Sequence, residues 1–403
     1  MTEKRMDLLD KLRVVERRRA MFASGAASPG ATVIERVLGP CEIVVNGKPT
    51  LMFGSNNYLG LTFEPSVIAA ARDAVLKYGT GTAGSLTANG TMSLHEDLER
   101  EFADWFHKRH ALIFSTGYQA NLSVIGGLCG PDDVILIDGD SHASIYDATR
   151  QTPAQVVAFR HNSPESLRKK LERLPAGQRN RLVVVEGLYS IHGDVAPLRD
   201  IVDVSRANGA YVLVDEAHSL GTFGATGLGC AEDQGVLDQV DFVVGTFSKS
   251  LAGVGGACVS DHAELRALHF LARAYVFTAS GSPSNVASVR AAVRVIREHP
   301  ELRDRLWANV RALREGLIKA GYTIGSTESP IVPIFTGEED RTIALWQDLL
   351  SSGLYVNLIV PPGCSQDNCL LRASCSAAHS IEQITRALDV FERVGVAPRA
   401  VTV

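Results

Sequence analysis

The sequence lacks an excess of basic charge. It carries 40 Lys and Arg residues against 45 Asp and Glu residues, so its net charge at pH 7 is −5. Because a phosphate backbone attracts basic surfaces, a nucleic acid is not expected as a partner. With 45% hydrophobic and 21% charged residues, the composition excludes a disordered or collagen-like chain. The length of 403 residues predicts two or three packed units.

Cysteine pairs with CxxC spacing are also absent. The seven cysteines therefore predict reduced thiols and a cytoplasmic protein. The first 20 residues contain no apolar segment of the kind found in secretory signals. One uncharged stretch, 111–131, contains serine, threonine, glutamine, asparagine and four glycines. We interpret it as a strand, a turn and a helix, because so many polar groups do not suit a membrane span.

Several motifs that define enzyme classes are missing. The sequence has no GxxxxGK[ST], HExxH or GxSxG segment, so we expect neither a P-loop nor a metal site. Residues 79–84, GTGTAG, match the letters of the dinucleotide motif GxGxxG. That motif must leave a strand and open a helix, whereas residues 79–84 follow a predicted helix and lead into a loop. We therefore reject a nicotinamide cofactor.

Short apolar runs separated by helical segments occupy residues 111–260. They are ALIFST, DVILID, QVVAFR, RLVVVEG, YVLVDE, DFVVGTF and GGACVS. Such runs predict an α/β domain with a mostly parallel seven-stranded sheet covered on both faces. From about residue 286, long helical segments with few strands predict a smaller α+β domain. We expect an N-terminal arm at 1–45, a large domain at 46–285 and a small C-terminal domain at 286–403.

Residues 1–20 carry apolar side chains at helical spacing, at Leu8, Leu9, Leu12 and Val15. Seven basic and four acidic residues occur in the same segment. We interpret it as an outer helix that packs on the body of the protein or on a second subunit. The alternative is a peripheral contact with a membrane surface.

Polar residues follow the predicted strands. They are Ser115, Thr116, Gly117, Tyr118, Asp140, Ser141, His142, Glu186, Asp215, His218, Thr246, Ser248 and Lys249. The carboxyl ends of parallel strands meet at one edge of a sheet, where ligands bind. Singly, each residue has an ordinary structural explanation, such as a helix cap or a solvated lysine. Together they predict a site for a charged aromatic cofactor that carries a phosphate.

Pyridoxal 5′-phosphate matches that description. It needs a lysine for a Schiff base, a carboxylate for its pyridine nitrogen and donors for its phosphate. Lys249 is the candidate lysine, Asp215 the candidate carboxylate, and His218 is placed to reach the ring hydroxyl. The N–H groups of the turn at 116–118, which opens a helix, form an anion site, to which Thr246 and Ser248 add hydroxyl donors.

The sequence resembles the α-oxoamine synthases, a branch of the fold type I pyridoxal phosphate enzymes. The resemblance extends over nearly the whole chain, from Ser55 to Ser380. Its motifs are SNNYLGL, GTGTAGS, NGTMSLHEDLE, FSTGYQANL, DSHASIYD, EGLYSIHGDVAPL, VDEAHSLGTFGATGLG, GTFSKSLAGVGG and RASCSAAHS. The resemblance implies the fold of a type I transferase, with an active site between the large and small domains.

The resemblance also implies roles for individual residues. Lys249 would bind the cofactor covalently, and His142 would stack on its ring and polarise a thioester. Asp215 and His218 would contact the ring nitrogen and the ring oxygen. The implied phosphate contacts are Gly117, Tyr118, Thr246 and Ser248, with Thr278 from the second subunit of a homodimer, and the implied substrate contacts are Arg372 and Asn57.

Two segments resemble the family members that use serine. Members that use glycine or alanine typically have GTLGKA around the lysine and NHAS before the stacking histidine, whereas this chain has GTFSKS and Ser141-His142. The resemblance implies a decarboxylative condensation of L-serine with a long-chain acyl thioester, palmitoyl-CoA or an acyl carrier protein thioester, to 3-ketodihydrosphingosine. This is the first step of sphingolipid biosynthesis. The alternatives are a synthase that uses glycine or alanine, a non-catalytic partner subunit and an aminotransferase.

Arg372 stands inside an apolar run, CLLRAS. A buried guanidinium without an anionic partner is costly, so we expect it to bind a substrate carboxylate, with a salt bridge to an acid of the large domain as the alternative. The chain departs from relatives at Leu86, where many have arginine, and at Asn56, where close relatives have tyrosine. The loop 361–369, PPGCSQDNC, also differs. All three departures concern the substrate rather than the cofactor.

Overall fold

The computed structural model describes residues 7–23, 32–175 and 180–395. Its strands are β1 (Arg36–Gly39), β2 (Glu42–Val45), β3 (Lys48–Met52), β4 (His110–Phe114), β5 (Asp133–Asp138), β6 (Gln155–Phe159), β7 (Asn180–Glu186), β8 (Tyr211–Asp215), β9 (Phe242–Thr246), β10 (Gly256–Ser260), β11 (Ile331–Gly337), β12 (Leu354–Tyr355), β13 (Asn357–Ile359) and β14 (Cys369–Ser374). Its helices are α1 (Asp10–Ala23), α2 (Pro65–Tyr78), α3 (Ser93–Phe106), α4 (Gly117–Leu128), α5 (Ala143–Arg150), α6 (Pro164–Glu172), α7 (Leu198–Ala207), α8 (Cys230–Asp233), α9 (Leu268–Leu271), α10 (Arg273–Val276), α11 (Pro283–Glu298), α12 (Glu301–Lys319), α13 (Glu339–Ser351) and α14 (Ile381–Val394).

Seven strands form the central sheet, in the order β4-β10-β9-β8-β7-β5-β6. Only β10 runs antiparallel to its neighbours. Every residue of β9 and β10 is buried, as expected for strands rich in valine that are covered on both faces. The predicted mostly parallel seven-stranded sheet is therefore confirmed, and the uncharged stretch 111–131 folds as a strand, a turn and a helix.

The small sheets show how the N-terminal and C-terminal segments combine. A three-stranded sheet has the order β11-β14-β13, and a four-stranded sheet has the order β1-β2-β3-β12. Strand β3 pairs with β12 in parallel, although the expected boundary at residue 46 places β3 in the large domain. The expected boundary at residue 285 likewise falls inside α11. Pairing between segments so far apart in the chain has no signature in a local sequence pattern.

The glycine-rich segment 79–84 does not have the context of a dinucleotide site. It follows α2 rather than a strand, and Gly79 ends that helix with a φ of 80°. The next helix, α3, begins only at Ser93. The rejection of a nicotinamide cofactor on sequence grounds agrees with this placement.

Apolar side chains near the start of the chain face solvent. Leu8, Leu12 and Val15 are 80%, 56% and 65% exposed, so this part of the predicted outer helix does not pack on the body of its own chain. Packing on a second subunit or a membrane surface stays a prediction. Among the residues that the structure describes, no helix combines the length and the apolar character needed to cross a bilayer.

A histidine between two carboxylates links the ends of neighbouring strands. His161 Nδ1 lies 2.7 Å from Asp138 at the end of β5, and Nε2 lies 2.6 Å from Asp194. Burial alone would lower the pKa of His161, but the hydrogen bonds and charges of the two carboxylates outweigh it and raise the pKa to about 10. The ring is therefore an imidazolium at neutral pH.

We expect His161→Ala to destabilise the fold by about 3 kcal/mol, because it leaves the buried carboxylate of Asp138 without its cation. The pKa in the folded state lies above the ordinary value of 6.5. The contribution of protonated His161 to the free energy of unfolding is therefore complete below pH 6.5 and is lost as the pH rises through about 10. Urea denaturation from pH 6 to 10 measures both effects. The exposed pair of His299 and Glu301 is the control, since His299→Ala should change stability by less than about 0.5 kcal/mol.

Candidate active site

A cavity of about 320 Å³ opens at the carboxyl ends of the central strands. Most of the residues predicted for the cofactor line it: Gly117, Tyr118, His142, Asp215, His218, Thr246, Ser248 and Lys249. The lining also contains residues for which the sequence pattern predicts no individual role, among them Asn121, Ser144 and Glu186. Because the strands run parallel, the turns that follow them converge here.

Lys249 lies in the turn after β9. Desolvation by the surrounding protein lowers the pKa of its amine from 10.5 to about 7, although the nearby carboxylates of Asp215 and Glu186 act in the opposite direction. Arg372 adds a smaller lowering effect by charge repulsion. Near neutral pH, much of this amine is therefore unprotonated and nucleophilic, which an ordinary lysine is not.

The low pKa of Lys249 gives a direct expectation for its reactivity. In protein without cofactor, reductive methylation of Lys249 should reach half its maximal rate near pH 7 rather than near pH 10.5, because only the neutral amine attacks the aldehyde. Peptide mass spectrometry over a pH series measures this rate. The same peptide in denaturant is the control and should show the ordinary value. A half-maximum near the ordinary lysine value in folded protein would contradict the desolvated site.

Two carboxyl groups lie side by side on neighbouring strands, since Glu186 of β7 pairs in register with Asp215 of β8. Asp215 Oδ2 accepts a hydrogen bond of 2.7 Å from Asn121 Nδ2, and Oδ1 accepts one of 2.9 Å from the N–H of Ala217. Burial and the charge of Asp215 raise the pKa of Glu186 well above its usual range. Glu186 therefore holds its proton more tightly than an ordinary glutamic acid does, and two hydrogen bonds orient Asp215.

Glu186 also fixes the turn that carries His142. Its Oε1 accepts a hydrogen bond of 2.5 Å from the backbone N–H of His142. The Nδ1 atom of His142 accepts from the N–H of Ser144 at 3.2 Å and lies 2.8 Å from the Ser144 hydroxyl. Desolvation lowers the pKa of His142. The charge of Asp215 raises this pKa, whereas the charge of Lys249 lowers it further. The ring is therefore neutral, with its proton on Nε2.

Tyr58 connects His218 to Arg372. Its hydroxyl accepts a hydrogen bond of 3.2 Å from the Arg372 guanidinium and lies 2.8 Å from His218 Nδ1. Because arginine can only donate, the single hydroxyl hydrogen of Tyr58 is left for one of two neighbours, His218 Nδ1 or Asn56 Oδ1, which lies 3.3 Å away. Burial, reinforced by the charges of Lys249 and Arg372, lowers the pKa of His218 well below its usual range.

The Arg372 side chain is 5% exposed and surrounded by neutral acceptors. Its guanidinium donates to the Ser190 carbonyl at 2.6 Å, to Ser374 Oγ at 3.0 Å and to Asn56 Oδ1 at 3.1 Å, besides Tyr58. The salt bridge considered as an alternative does not occur with any residue that the structure describes. A buried cation with neutral partners is suited to an incoming anion.

The turn between β4 and α4 forms a candidate phosphate site. Gly117 and Tyr118 are the first two residues of α4, so their N–H groups have no partner within the helix. A Cβ atom at Gly117 would lie 2.7 Å from Thr246 Oγ1, and that hydroxyl lies 3.0 Å from Ser248 Oγ. Only glycine permits this close approach of two hydroxyl groups to a helix N-terminus.

Besides Arg372, two predicted residues lie outside the cavity lining. Thr278 Oγ1 accepts a hydrogen bond of 3.0 Å from Gln119 of its own chain, and its contact with a second subunit stays a prediction. Asn57 Nδ2 donates to Thr62 at 2.8 Å, and its Oδ1 has no hydrogen-bond partner among the residues that the structure describes. Asn57 as a substrate contact also stays a prediction.

Three residues of the site have roles that the sequence does not reveal. Tyr58 contacts Arg372 and His218. Asn121 donates a hydrogen bond to Asp215. Both residues lie far from their partners in the sequence. Asn56, which the sequence marks only as a departure from relatives, helps to hold Arg372. Glu186 is recognisable as a strand-end acid, but its contact with His142 depends on pairing across the sheet. A polar residue in an otherwise apolar segment is the available signal for Asn121.

Comparisons with known proteins agree with this geometry. The family model for aminotransferase class I and II matches residues 48–391, a range that includes every strand of the central sheet and each residue that lines the cavity. The serine palmitoyltransferase of Caulobacter vibrioides is 50% identical over 371 residues, 92% of each chain. The 8-amino-7-oxononanoate synthase of Alkaliphilus metalliredigens is 35% identical and covers 88% of this chain and 90% of its own.

A solved structure of a serine palmitoyltransferase with its pyridoxal phosphate internal aldimine has a TM-score of 0.94 and 45% identity. The match covers 96% of this chain and 98% of the solved one. The chain belongs to the aminotransferase class I and II family and, within it, to the α-oxoamine synthases.

Proposed function

We propose that this protein condenses L-serine with a long-chain acyl thioester, with loss of carbon dioxide, and uses pyridoxal phosphate as cofactor. This is the reaction of a serine palmitoyltransferase. The observation that carries the proposal is the placement of Lys249, Asp215 and two neutral histidines in one cavity, near a buried guanidinium with neutral partners. The similarity to serine palmitoyltransferases over most of the chain supports the substrates.

The residues of the cavity fit the cofactor group by group. The N-terminus of α4 with Thr246 and Ser248 suits the phosphate, Asp215 suits the pyridine nitrogen and the His218 ring suits the ring oxygen. When bound, pyridoxal phosphate supplies an electron-poor ring that takes up the electron pair left at the Cα atom of the amino acid. Asp215 would support this chemistry by holding a proton on the ring nitrogen.

Lys249 has two roles in the proposal. Its neutral amine would hold the cofactor covalently, and after the amine of serine has replaced it there, the same lysine amine would take the proton from the Cα atom of the bound serine. The pKa of about 7 suits the second role, because a base works best when its pKa lies near the operating pH. The Nε2–H of His142 donates to the carbonyl oxygen of the thioester and makes that carbonyl more electrophilic.

Arg372 binds the carboxylate of serine. Asn56 and Tyr58 hold two of its N–H groups, which fixes the plane of the guanidinium before the substrate enters. The Tyr58 hydroxyl also contacts Nδ1 of His218. The same hydroxyl therefore aligns Arg372, which binds the substrate, with His218, which binds the cofactor. This arrangement favours an α-amino acid whose carboxylate binds at Arg372.

The proposed working unit is a cytoplasmic homodimer. Thr278 would reach the phosphate of the second subunit, and the exposed apolar side chains of residues 8–15 would be covered by the partner or by a membrane surface. The acyl donor would be palmitoyl-CoA or an acyl carrier protein thioester. A long acyl chain needs an apolar path out of the site, which a second subunit can provide.

Comparing amino acids tests the substrate directly. With palmitoyl-CoA present, serine should give the highest kcat/KM among serine, glycine and alanine, and the product should have the mass of 3-ketodihydrosphingosine. The reaction without thioester is the control. Higher kcat/KM with glycine or alanine would instead identify a different α-oxoamine synthase, a candidate favoured by the 35% identity to 8-amino-7-oxononanoate synthase.

A further inference from the structure

The loop between β13 and β14 contains two cysteines that the proposed reaction does not use. Cys364 lies in the exposed part of the loop and is itself partly exposed, whereas Cys369 is the buried first residue of β14. Their sulfur atoms lie 3.9 Å apart. The same loop departs from the family pattern in sequence, and neither cysteine lines the cavity.

We propose that Cys364 and Cys369 form a reversible disulfide, a modification site outside the catalytic machinery. A disulfide bond is about 2.05 Å long, so the sulfurs need to approach by about 2 Å. The loop can supply that movement, since Gly363 precedes Cys364 and the residues from Ser365 to Asn368 are exposed. The weak contacts of the thiols, at 3.6 Å to the Ile359 carbonyl and 3.4 Å to the Gln366 carbonyl, present little resistance.

The chemistry needs a two-electron oxidant, for which hydrogen peroxide is sufficient. The thiolate of Cys364, the more exposed sulfur, attacks one peroxide oxygen and becomes a sulfenic acid as hydroxide leaves. The sulfur of Cys369 then attacks the sulfenic sulfur, and a second hydroxide leaves. With the two thiol protons counted, two thiols and one peroxide give one disulfide and two waters. A small-molecule dithiol reverses the reaction by exchange.

Burial affects the rate of this oxidation. Burial raises the pKa of both thiols. The pKa of Cys369 reaches about 11, to which the neighbouring Cys364, Glu339 and Asp367 also contribute. Since the thiolate is the reactive form, the disulfide should form faster in mildly alkaline buffer. We expect slower oxidation of the four buried cysteines, which have no partly exposed cysteine beside them in a loop. They are Cys41, Cys230, Cys258 and Cys375.

The disulfide would fix the segment that leads into the strand of Arg372. Cys369 begins β14, and Arg372 is three residues further along, opposite Asn357 of β13. Closing the bond ties the loop to the first residue of that strand. We therefore expect slower backbone hydrogen exchange in residues 363–368 after oxidation, with the central sheet unchanged.

Peptide mass spectrometry after peroxide treatment of the full-length holoenzyme tests the proposal. The fragment with both cysteines should lose two hydrogen atoms, and dithiothreitol should restore its mass. Cys364→Ser should abolish this loss, whereas Cys129→Ser, which removes the other partly exposed cysteine, should retain it. Oxidation of Cys364 to sulfinic acid without a crosslink, or an unchanged fragment under conditions that oxidise Cys129, would overturn the proposal. These results do not depend on the reaction that the enzyme catalyses.

Discussion

Substituting alanine for Lys249 is expected to lower the rate of condensation by at least about 10³-fold while the fold is retained. The reason is that, in the proposed reaction, one amine performs two steps, covalent attachment of the cofactor and proton transfer at Cα, each of which contributes on the order of 10² to 10⁴. Lys249 lines an existing cavity, so truncating it removes no packing from the core. The rate with serine and palmitoyl-CoA measures the loss of activity, and the melting temperature measures whether the fold is retained.

An exposed lysine provides the control for this variant. Lys169 pairs with Glu165 on the surface, and Lys169→Ala should leave both the rate and the melting temperature close to those of the unmodified protein. Retention of a tenth or more of the activity in Lys249→Ala would show that another residue performs the proton transfer.

Replacing Arg372 with lysine is expected to raise the KM for serine by roughly 30-fold, which corresponds to about 2 kcal/mol. Lysine keeps the charge but loses the planar arrangement of donors that Asn56 and Tyr58 hold and that a carboxylate matches. The kcat should change less, because binding of the carboxylate contributes equally to the ground state and the transition state.

Arg303 is a matched control, since it is also buried and donates to the carbonyls of Ile296 and Ala225. Unlike Arg372, it has no hydrogen bond to Tyr58, which contacts His218 of the cavity, so Arg303→Lys should lower the melting temperature without a selective change in the KM for serine. A similar KM in both variants would contradict the assignment of Arg372 to the carboxylate.

The sheet and most of the cofactor site follow from local sequence. Continuous valine-rich runs identify buried parallel strands, and a polar residue directly after such a run lies at the ligand-binding edge. For this reason the positions of Lys249, Asp215 and His142 are predictable from the amino-acid sequence. They depend only on where each strand ends.

Contacts between distant segments could not be predicted in the same way. Tyr58 reaches Arg372 across 314 positions of sequence, and β3 pairs with β12 across a similar separation. Such contacts depend on how the two ends of the chain come together around the large domain. The raised pKa of Glu186 is also a consequence of burial next to Asp215, which only the register of β7 and β8 reveals.

Isotope labelling of serine tests the central claim most directly. With serine labelled at its carboxyl carbon and palmitoyl-CoA as the acyl donor, the proposal predicts one labelled carbon dioxide and one free thiol for each ketone formed. The lipid product should contain no label. Transfer of the label into a keto acid without release of carbon dioxide would identify an aminotransferase reaction and contradict the proposed function.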